Sequence, residues 1–118
     1  MNHQYSVSIK TQSRQIGKDL ERIVLSAGGF RFCDSKERPD IFIFHLGEAY
    51  ENDFDQIESL SAANAIGEIF IVSEKQDTNL LRRAMRLGVK EFLSCPLIEK
   101  EVHAALAAFK KRSLQSPI

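Results

Sequence analysis

Five polar or thiol-bearing residues stand at or just beyond the ends of apolar runs in this sequence, and they are the candidates for chemistry. They are Thr11, Gln12, His45, Ser73 and Cys95. Histidine and cysteine are common ligands of transition metals, whereas serine is a poor one. Because His3 and His103 have no reason to lie near this group, a complete tetrahedral set of ligands is missing. We therefore expect no metal, no cofactor and no catalytic residue.

Short apolar runs predict the five β-strands that would position these residues. Residues 5–9 alternate apolar and polar side chains, as a strand with one buried face does. Residues 41–44 and 69–72 are continuously apolar, which is typical of central parallel strands covered on both faces. Two shorter strands are predicted at residues 30–33 and 89–93.

Four helices are predicted between and after these strands. Ser13 can cap the first helix, which ends at Gly28. The second covers residues 53–65, the third begins at residues 77–78, and the fourth covers about residues 99–111. The apolar pattern of the third helix consists of Leu80, Leu81, Ala84, Met85 and Leu87.

The alternation of strands and helices predicts one α/β fold, an open parallel sheet with helices on both faces. The simplest arrangement is a flavodoxin-like five-stranded sheet with the strand order 2-1-3-4-5. In such a sheet the functional site lies at the carboxyl ends of the strands. All five candidate residues stand at those ends, so we expect them to line one pocket.

Composition and charge exclude several classes of function. Sixteen basic and sixteen acidic side chains give the 118 residues a formal net charge of zero, so we expect no nucleic-acid binding. No apolar run approaches the roughly 20 residues of a membrane span. Two distant cysteines and a start unlike a signal peptide favour the cytoplasm. Residues 1–112 are predicted to form one domain, and residues 113–118 a linker or tail.

Three stretches of the chain carry a family resemblance. They are PDIFIF at residues 39–44, IVS at residues 71–73 and AMRLGVKEFLSCPL at residues 84–97. In this order they resemble the receiver (CheY-like) domains of bacterial response regulators. The last stretch is most similar to the N-terminal domains of pilus-assembly ATPases of the tight-adherence (TadZ/CpaE) type. The resemblance implies a downstream ParA/MinD-like ATPase domain, which would lie beyond Ile118 because no phosphate-binding loop motif precedes it.

The resemblance assigns a phosphorylation role to the five candidate residues, but four of them depart from the family pattern. The acidic pair that holds magnesium falls on Thr11 and Gln12. The phosphate-accepting aspartate falls on His45 and the phosphate-binding lysine on Cys95, so only Ser73 matches. Without carboxylates the magnesium ion and the charge it compensates are lost. The resemblance therefore implies a pseudo-receiver that is neither phosphorylated nor an enzyme.

Three alternatives stay open beside this interpretation. One is a small-ligand, metal or redox sensor that uses His45, Ser73 and Cys95. Another is the receiver of a transcriptional response regulator. The third is phosphorylation at a shifted acceptor, Asp40, which is disfavoured because Asp40 should lie near the start of its strand.

The connection between the second and third predicted strands is too short for a helix. Only residues 34–39 separate them, whereas a helical crossover needs roughly a dozen residues. Receivers normally have a helix here, so we expect the second helix of the family to be missing or much reduced. We also expect the apolar surface that it would cover to be exposed and to serve as an interface.

A second candidate interface lies on the last two helices and the last strand, through which receivers commonly dimerise. Its candidate residues are Arg82, Arg86, Lys90, Phe92 and Glu101. A solvated helix face explains the basic residues equally well. The functional interpretation is an oligomerisation and localisation module that binds a protein partner or a second copy of itself. The resemblance also predicts a cis peptide bond between Cys95 and Pro96.

Overall fold

The computed structural model describes residues 3–34 and 36–115, which form a five-stranded sheet flanked by four helices. In chain order the elements are β1 (Tyr5–Lys10), α1 (Arg14–Ala27), β2 (Phe30–Phe32), β3 (Ile41–His45), α2 (Tyr50–Ala62), β4 (Glu68–Ser73), α3 (Thr78–Arg86), β5 (Glu91–Ser94) and α4 (Glu99–Gln115). All strand pairs are parallel and the order is β2-β1-β3-β4-β5. The predicted architecture is therefore confirmed.

The sheet separates two apolar cores. Ile41 and Ile43 of β3 point into the core beneath α1 and α4, whereas Phe42 and Phe44 point into the core beneath α2 and α3. All four are buried. Because successive side chains of a strand alternate between faces, a continuously apolar strand needs cover on both sides, and the helices supply it.

The helix boundaries follow local capping. The Ser13 side chain accepts a hydrogen bond from the N–H of Ile16 and begins α1, and Gly28 ends it with φ of 75°. Asp77 caps α3 through the N–H of Asn79. α2 lies about three residues earlier in the chain than predicted, and no side chain caps it.

The last helix is longer than predicted. α4 runs to Gln115, so residues 113–115, which the sequence placed in a linker or tail, are helical. Residues 116–118 lie outside the described part of the chain. Among the helices that the structure describes, none is long and apolar enough to cross a membrane.

The short connection after β2 works because β2 itself is short. Phe32 pairs with Val7 of β1, and on the other side of β1 Val7 pairs with Ile41, the first residue of β3. The chain leaves β2 and enters β3 at the same height along β1, so it need not return along a full strand. The described residues between β2 and β3 form no helix, which confirms that the family's second helix is missing.

The expectation of exposed apolar surface at this place is wrong. Val7 and Ile9 belong to the core beneath α1 and α4, so the alternate residues Ser6, Ser8 and Lys10 face the side without the helix. Phe42, the nearest large apolar side chain of β3, is only 6% exposed. The strand thus presents small or polar side chains where cover is missing, and no large apolar side chain of the described residues is exposed there.

Asp40 fastens the short connection to β1, and its removal is expected to destabilise the fold. Its carboxylate accepts hydrogen bonds from the N–H of Ser6 at 2.8 Å and from the Ser6 hydroxyl at 3.2 Å. Ser6 is 2% exposed, so Asp40→Ala leaves buried donors unpaired. We expect a loss of about 1–3 kcal/mol in the free energy of unfolding, measured by urea denaturation.

Asp40→Asn is the matched control for this prediction. The amide has an acceptor oxygen at the same position but no charge. We therefore expect Asp40→Asn to retain about half or more of the stability that Asp40→Ala loses. An Asp40→Ala protein as stable as the native chain would contradict the fastening role.

Candidate functional site: a pocket at the carboxyl edge of the sheet

The ends of the four neighbouring strands meet at one edge of the sheet. The register pairs Lys10 with Phe44, His45 with Val72, and Ser73 with Ser94. The candidate residues therefore share this edge, as the sequence predicts. Thr11, Gln12, His45 and Ser73 line a cleft of about 390 Å³.

His45 is the most enclosed group of the pocket. Its side chain is only 10% exposed. Nδ1 lies 2.8 Å from the hydroxyl of Thr11, which also accepts a hydrogen bond from the N–H of Ser13 at 3.0 Å. Nε2 is buried and has no hydrogen-bond partner among the described residues. Oε1 of Glu74 lies 3.9 Å away, beyond hydrogen-bond distance, and such an unpaired buried nitrogen is uncommon.

Ser73, the one position that matches the phosphorylation pattern, is engaged by its own loop. Its hydroxyl donates to the carbonyl oxygen of Lys75 at 3.1 Å and accepts from the N–H of Lys75 at 3.0 Å. The residue is 2% exposed. The hydroxyl thus serves the turn after β4 and is a weak candidate for binding a ligand in the cleft.

Cys95 follows the last strand and is not among the residues that line the cleft, but it lies beside it, with Sγ within 4.8 Å of ligand atoms of His45 and Glu74. The N–H of Cys95 donates to the carbonyl oxygen of Ser73 at 3.0 Å, and the bond between Cys95 and Pro96 is cis, as predicted. Burial raises the pKa of the Cys95 thiol above its ordinary value, and the carboxylate of Glu74 raises it further. The thiol is therefore protonated at neutral pH in the absence of a cation.

Glu74 is the pocket residue that the sequence reasoning missed. One ligand atom from each of Glu74, His45 and Cys95 falls within 4.8 Å of the others. The signal was available, because Glu74 directly follows β4 at the same edge as the other candidates. Cys33 follows β2 and Cys95 follows β5, and these are the two outermost strands on opposite sides of the sheet. Both cysteines are free.

The predicted interface residues lie on α3, β5 and α4. Arg82, Arg86, Lys90 and Glu101 are exposed, and they form no ion pair with another described residue. Phe92 is half-buried and packs against the core beneath α2 and α3. These charges are therefore available to a partner.

Two residues of the apolar pattern of α3 face outward. Leu81 is 37% exposed and Met85 is 75% exposed, whereas Leu80 and Ala84 are buried. A helix turns about 100° per residue, so positions 81 and 85 form a stripe beside the buried one and not within it.

This fold is that of response-regulator receiver domains. A solved CheY-like response regulator from Mesorhizobium loti superposes with a TM-score of 0.72 and 18% identity, over 90% of this chain and 98% of that chain. No protein-family model matches the sequence, and no curated protein matches it.

Among the similar structures are two proteins of pilus assembly. A pilus assembly-related protein from Burkholderia pseudomallei has a TM-score of 0.79 and 20% identity, over 95% of this chain and 93% of that chain. A pilus assembly protein (CpaE) from Burkholderia thailandensis has a TM-score of 0.77 and 21% identity, over 91% and 98%. At these identities the likeness establishes the fold.

The magnesium ion that the receiver fold implies does not fit this pocket, because the carboxylates of its lining residues Glu48, Asp53 and Glu74 form no cluster with one another in the described part of the chain. Magnesium prefers oxygen ligands, above all carboxylates. The three positions that would supply them carry a hydroxyl at Thr11, an amide at Gln12 and an imidazole at His45. The Thr11 hydroxyl and the His45 ring contact each other instead. We therefore derive no phosphorylation step for this pocket.

Proposed function

We propose that this chain is a phosphorylation-independent receiver-like module that acts by protein–protein association and helps to localise the protein that carries it. The observation that carries the proposal is the outward stripe of Leu81 and Met85 beside two arginines without ion partners in the described chain. The module binds a second copy of itself or a protein partner, and it has no enzymatic activity of its own.

The pocket supports independence from phosphorylation. A phosphorylated receiver needs an acceptor carboxylate, a metal ion and a cation that reads the phosphoryl group. Here His45 occupies the acceptor position and contacts Thr11, and Cys95 occupies the position of the cation. A phosphoryl group on Nε2 of His45 would lie beside the carboxylate of Glu74, which is 3.9 Å from that nitrogen, and the two negative charges would repel each other. Asp40 lies at the opposite end of β3, bonded to Ser6.

The orientation of α3 supports association through the α3–β5–α4 surface. Arg83 pairs with Asp55 of α2 at 2.9 Å and lies over the ring of Phe54. This contact fixes one flank of α3 against α2. Leu81 and Met85 lie on the other flank of α3, away from α2. Exposed apolar residues on a helix rimmed by charge are typical of an interface.

The charges of the same surface favour a symmetric dimer. Arg82 and Arg86 are one helical turn apart and exposed, and Glu101 near the start of α4 is exposed as well. In a two-fold dimer each basic helix can face the acidic residue of its mate, because such an interface uses the same patch on both copies. The pairing would fix the register more than it would add affinity.

The likeness to pilus-assembly proteins supports a place for the module in a pilus-assembly protein. The ParA/MinD-like ATPase domain that the sequence resemblance implies would follow Ile118. A cytoplasmic location agrees with the two free cysteines. The domain boundary at residue 112 would move toward residue 115, where α4 ends.

Sedimentation equilibrium with and without acetyl phosphate or beryllofluoride, in the presence of magnesium, tests the proposal. We expect a dimer at micromolar concentrations whose dissociation constant changes less than about two-fold on addition of either reagent. We also expect no phosphoryl adduct by mass spectrometry and no change in the amide spectrum. A phosphoryl adduct or a reagent-induced dimer would show that the pocket is a working switch.

A further inference from the structure

The pocket holds three metal-ligating groups that the proposed association does not use. The side chains of His45, Glu74 and Cys95 each offer one ligand atom, and these atoms lie within 4.8 Å of one another. We propose that they bind a divalent metal of the zinc class, through Nε2 of His45, a carboxylate oxygen of Glu74 and the thiolate of Cys95. A fourth position stays open to water or to an external ligand.

The orphaned nitrogen of His45 is the independent observation that points to this ligand. Nε2 is buried without a hydrogen-bond partner among the described residues, in a side chain that is nine-tenths buried. Leaving such a group unpaired costs about 1–3 kcal/mol. A metal ion bound to Nε2 would remove this cost, because the lone pair of a neutral imidazole is its natural donor.

Thr11 holds the histidine in the form that a metal requires. When Nε2 binds a metal, Nδ1 carries the proton and must donate it. The Thr11 hydroxyl lies 2.8 Å from Nδ1, and its own proton can go to the carbonyl oxygen of Ser13 at 3.4 Å. The hydroxyl oxygen accepts from both Nδ1 and the N–H of Ser13. The ring is thus oriented with Nε2 toward Glu74.

The three ligand atoms, which lie within 4.8 Å of one another, must close in by up to about 1 Å to hold a tetrahedral ion. Nε2 of His45 lies 3.9 Å from Oε1 of Glu74. Zinc bond lengths place tetrahedral ligand atoms roughly 3.3–3.6 Å apart. The Glu74 side chain is 69% exposed and can close the difference by a change of rotamer. The metal would displace the proton of the Cys95 thiol.

The donor set selects the class of metal. A thiolate and an imidazole favour zinc, cobalt or copper over magnesium and calcium, which prefer oxygen. Three protein ligands and one open position are the arrangement of sites that take up an external ligand. The degenerate pocket would therefore have replaced magnesium-dependent chemistry with the binding of a softer ion.

Titration with Co²⁺ followed by displacement with Zn²⁺ tests the site on the full chain. We expect one equivalent of cobalt to produce the charge-transfer absorption of a cobalt–thiolate bond, and zinc to abolish it. Cys95→Ser should remove the band. Glu74→Gln and His45→Gln should each weaken zinc binding at least about ten-fold, measured by competition with a chromogenic chelator.

Matched controls separate this site from other thiols and imidazoles. Cys33→Ser removes the other cysteine, which follows β2, the outermost strand on the side of the sheet away from β5. His103→Gln removes a histidine of α4. Both variants should bind the metal as the native chain does. A band that survives Cys95→Ser, or is lost in Cys33→Ser, would overturn the proposal, as would the absence of any band. Glu74 is exposed, so Glu74→Gln folds even if His45→Gln does not.

Discussion

The double substitution of Leu81→Glu and Met85→Glu is expected to convert the proposed dimer into a monomer. Both side chains are exposed in the single chain, at 37% and 75%, so the fold should tolerate the charges. In the dimer two carboxylates per copy would have to leave water inside the apolar stripe, and they would compete with Glu101 of the partner subunit for Arg82 and Arg86, so association becomes costly. We expect the dissociation constant to rise at least about 100-fold, or roughly 2.8 kcal/mol, measured by sedimentation equilibrium.

Leu25→Glu is the matched control for this experiment. Leu25 is 58% exposed on α1, away from the α3–β5–α4 surface, and the substitution is chemically the same. We expect the control to stay dimeric and both proteins to keep the thermal stability of the native chain. A double variant that remains a dimer, or a Leu25→Glu protein that dissociates, would place the interface elsewhere.

The sheet and the pocket positions could be predicted because they depend on the pattern of apolar residues along the chain. Strands β3 and β4 are apolar at every inner position, which requires cover on both faces and hence a parallel α/β sheet. In a parallel sheet the residues after each strand come to the same edge. His45 and Cys95 were therefore placed in one pocket although they lie 50 positions apart in the sequence.

The polar side of β1 contained information that the prediction of an exposed apolar face did not use. Ser6, Ser8 and Lys10 alternate with apolar residues, so the open side of β1 was already polar in the sequence. On α3, Leu81 and Met85 lie about 100° away from Leu80 and Ala84, too far around the helix to share one buried stripe. The prediction of an exposed apolar face did not follow which face of the sheet each residue of β1 occupies, and the apolar pattern of α3 does not by itself say which of its residues are buried.

Other features of the pocket could not be predicted, because they depend on side-chain rotamers and loop closure. Ser73 bonds to the backbone of Lys75, and Thr11 contacts His45 across 34 residues of sequence. A strand pattern fixes which edge a residue occupies but not where its hydroxyl points. The role of Glu74 likewise depends on the turn after β4, which brings its carboxylate toward His45.

Phe70→Ala is expected to be among the most destabilising substitutions in the chain. Phe70 lies on β4, an interior strand of the sheet, is fully buried, and belongs to the core between the sheet and helices α1 and α4. Its neighbours in the register are Ile43 and Glu91 on the adjacent strands. Removal of a buried phenyl ring loses its transfer free energy and leaves a cavity, which typically costs about 3–5 kcal/mol.

A loss of this size consumes much of the stability of a small domain, which is about 5–15 kcal/mol. Phe70→Leu refills most of the cavity, so we expect a loss below about 1.5 kcal/mol. Phe92→Ala also removes a phenyl ring, but from the outermost strand β5, where the side chain is half-buried. It should lower the free energy of unfolding by less than Phe70→Ala does. Urea denaturation of the three variants gives the comparison.

Equal losses at Phe70 and Phe92 would mean that the centre of the sheet does not dominate the core. Because β4 ends at Ser73 and leads directly into Glu74, such a result would weaken the inference that the interior strands hold the pocket in place.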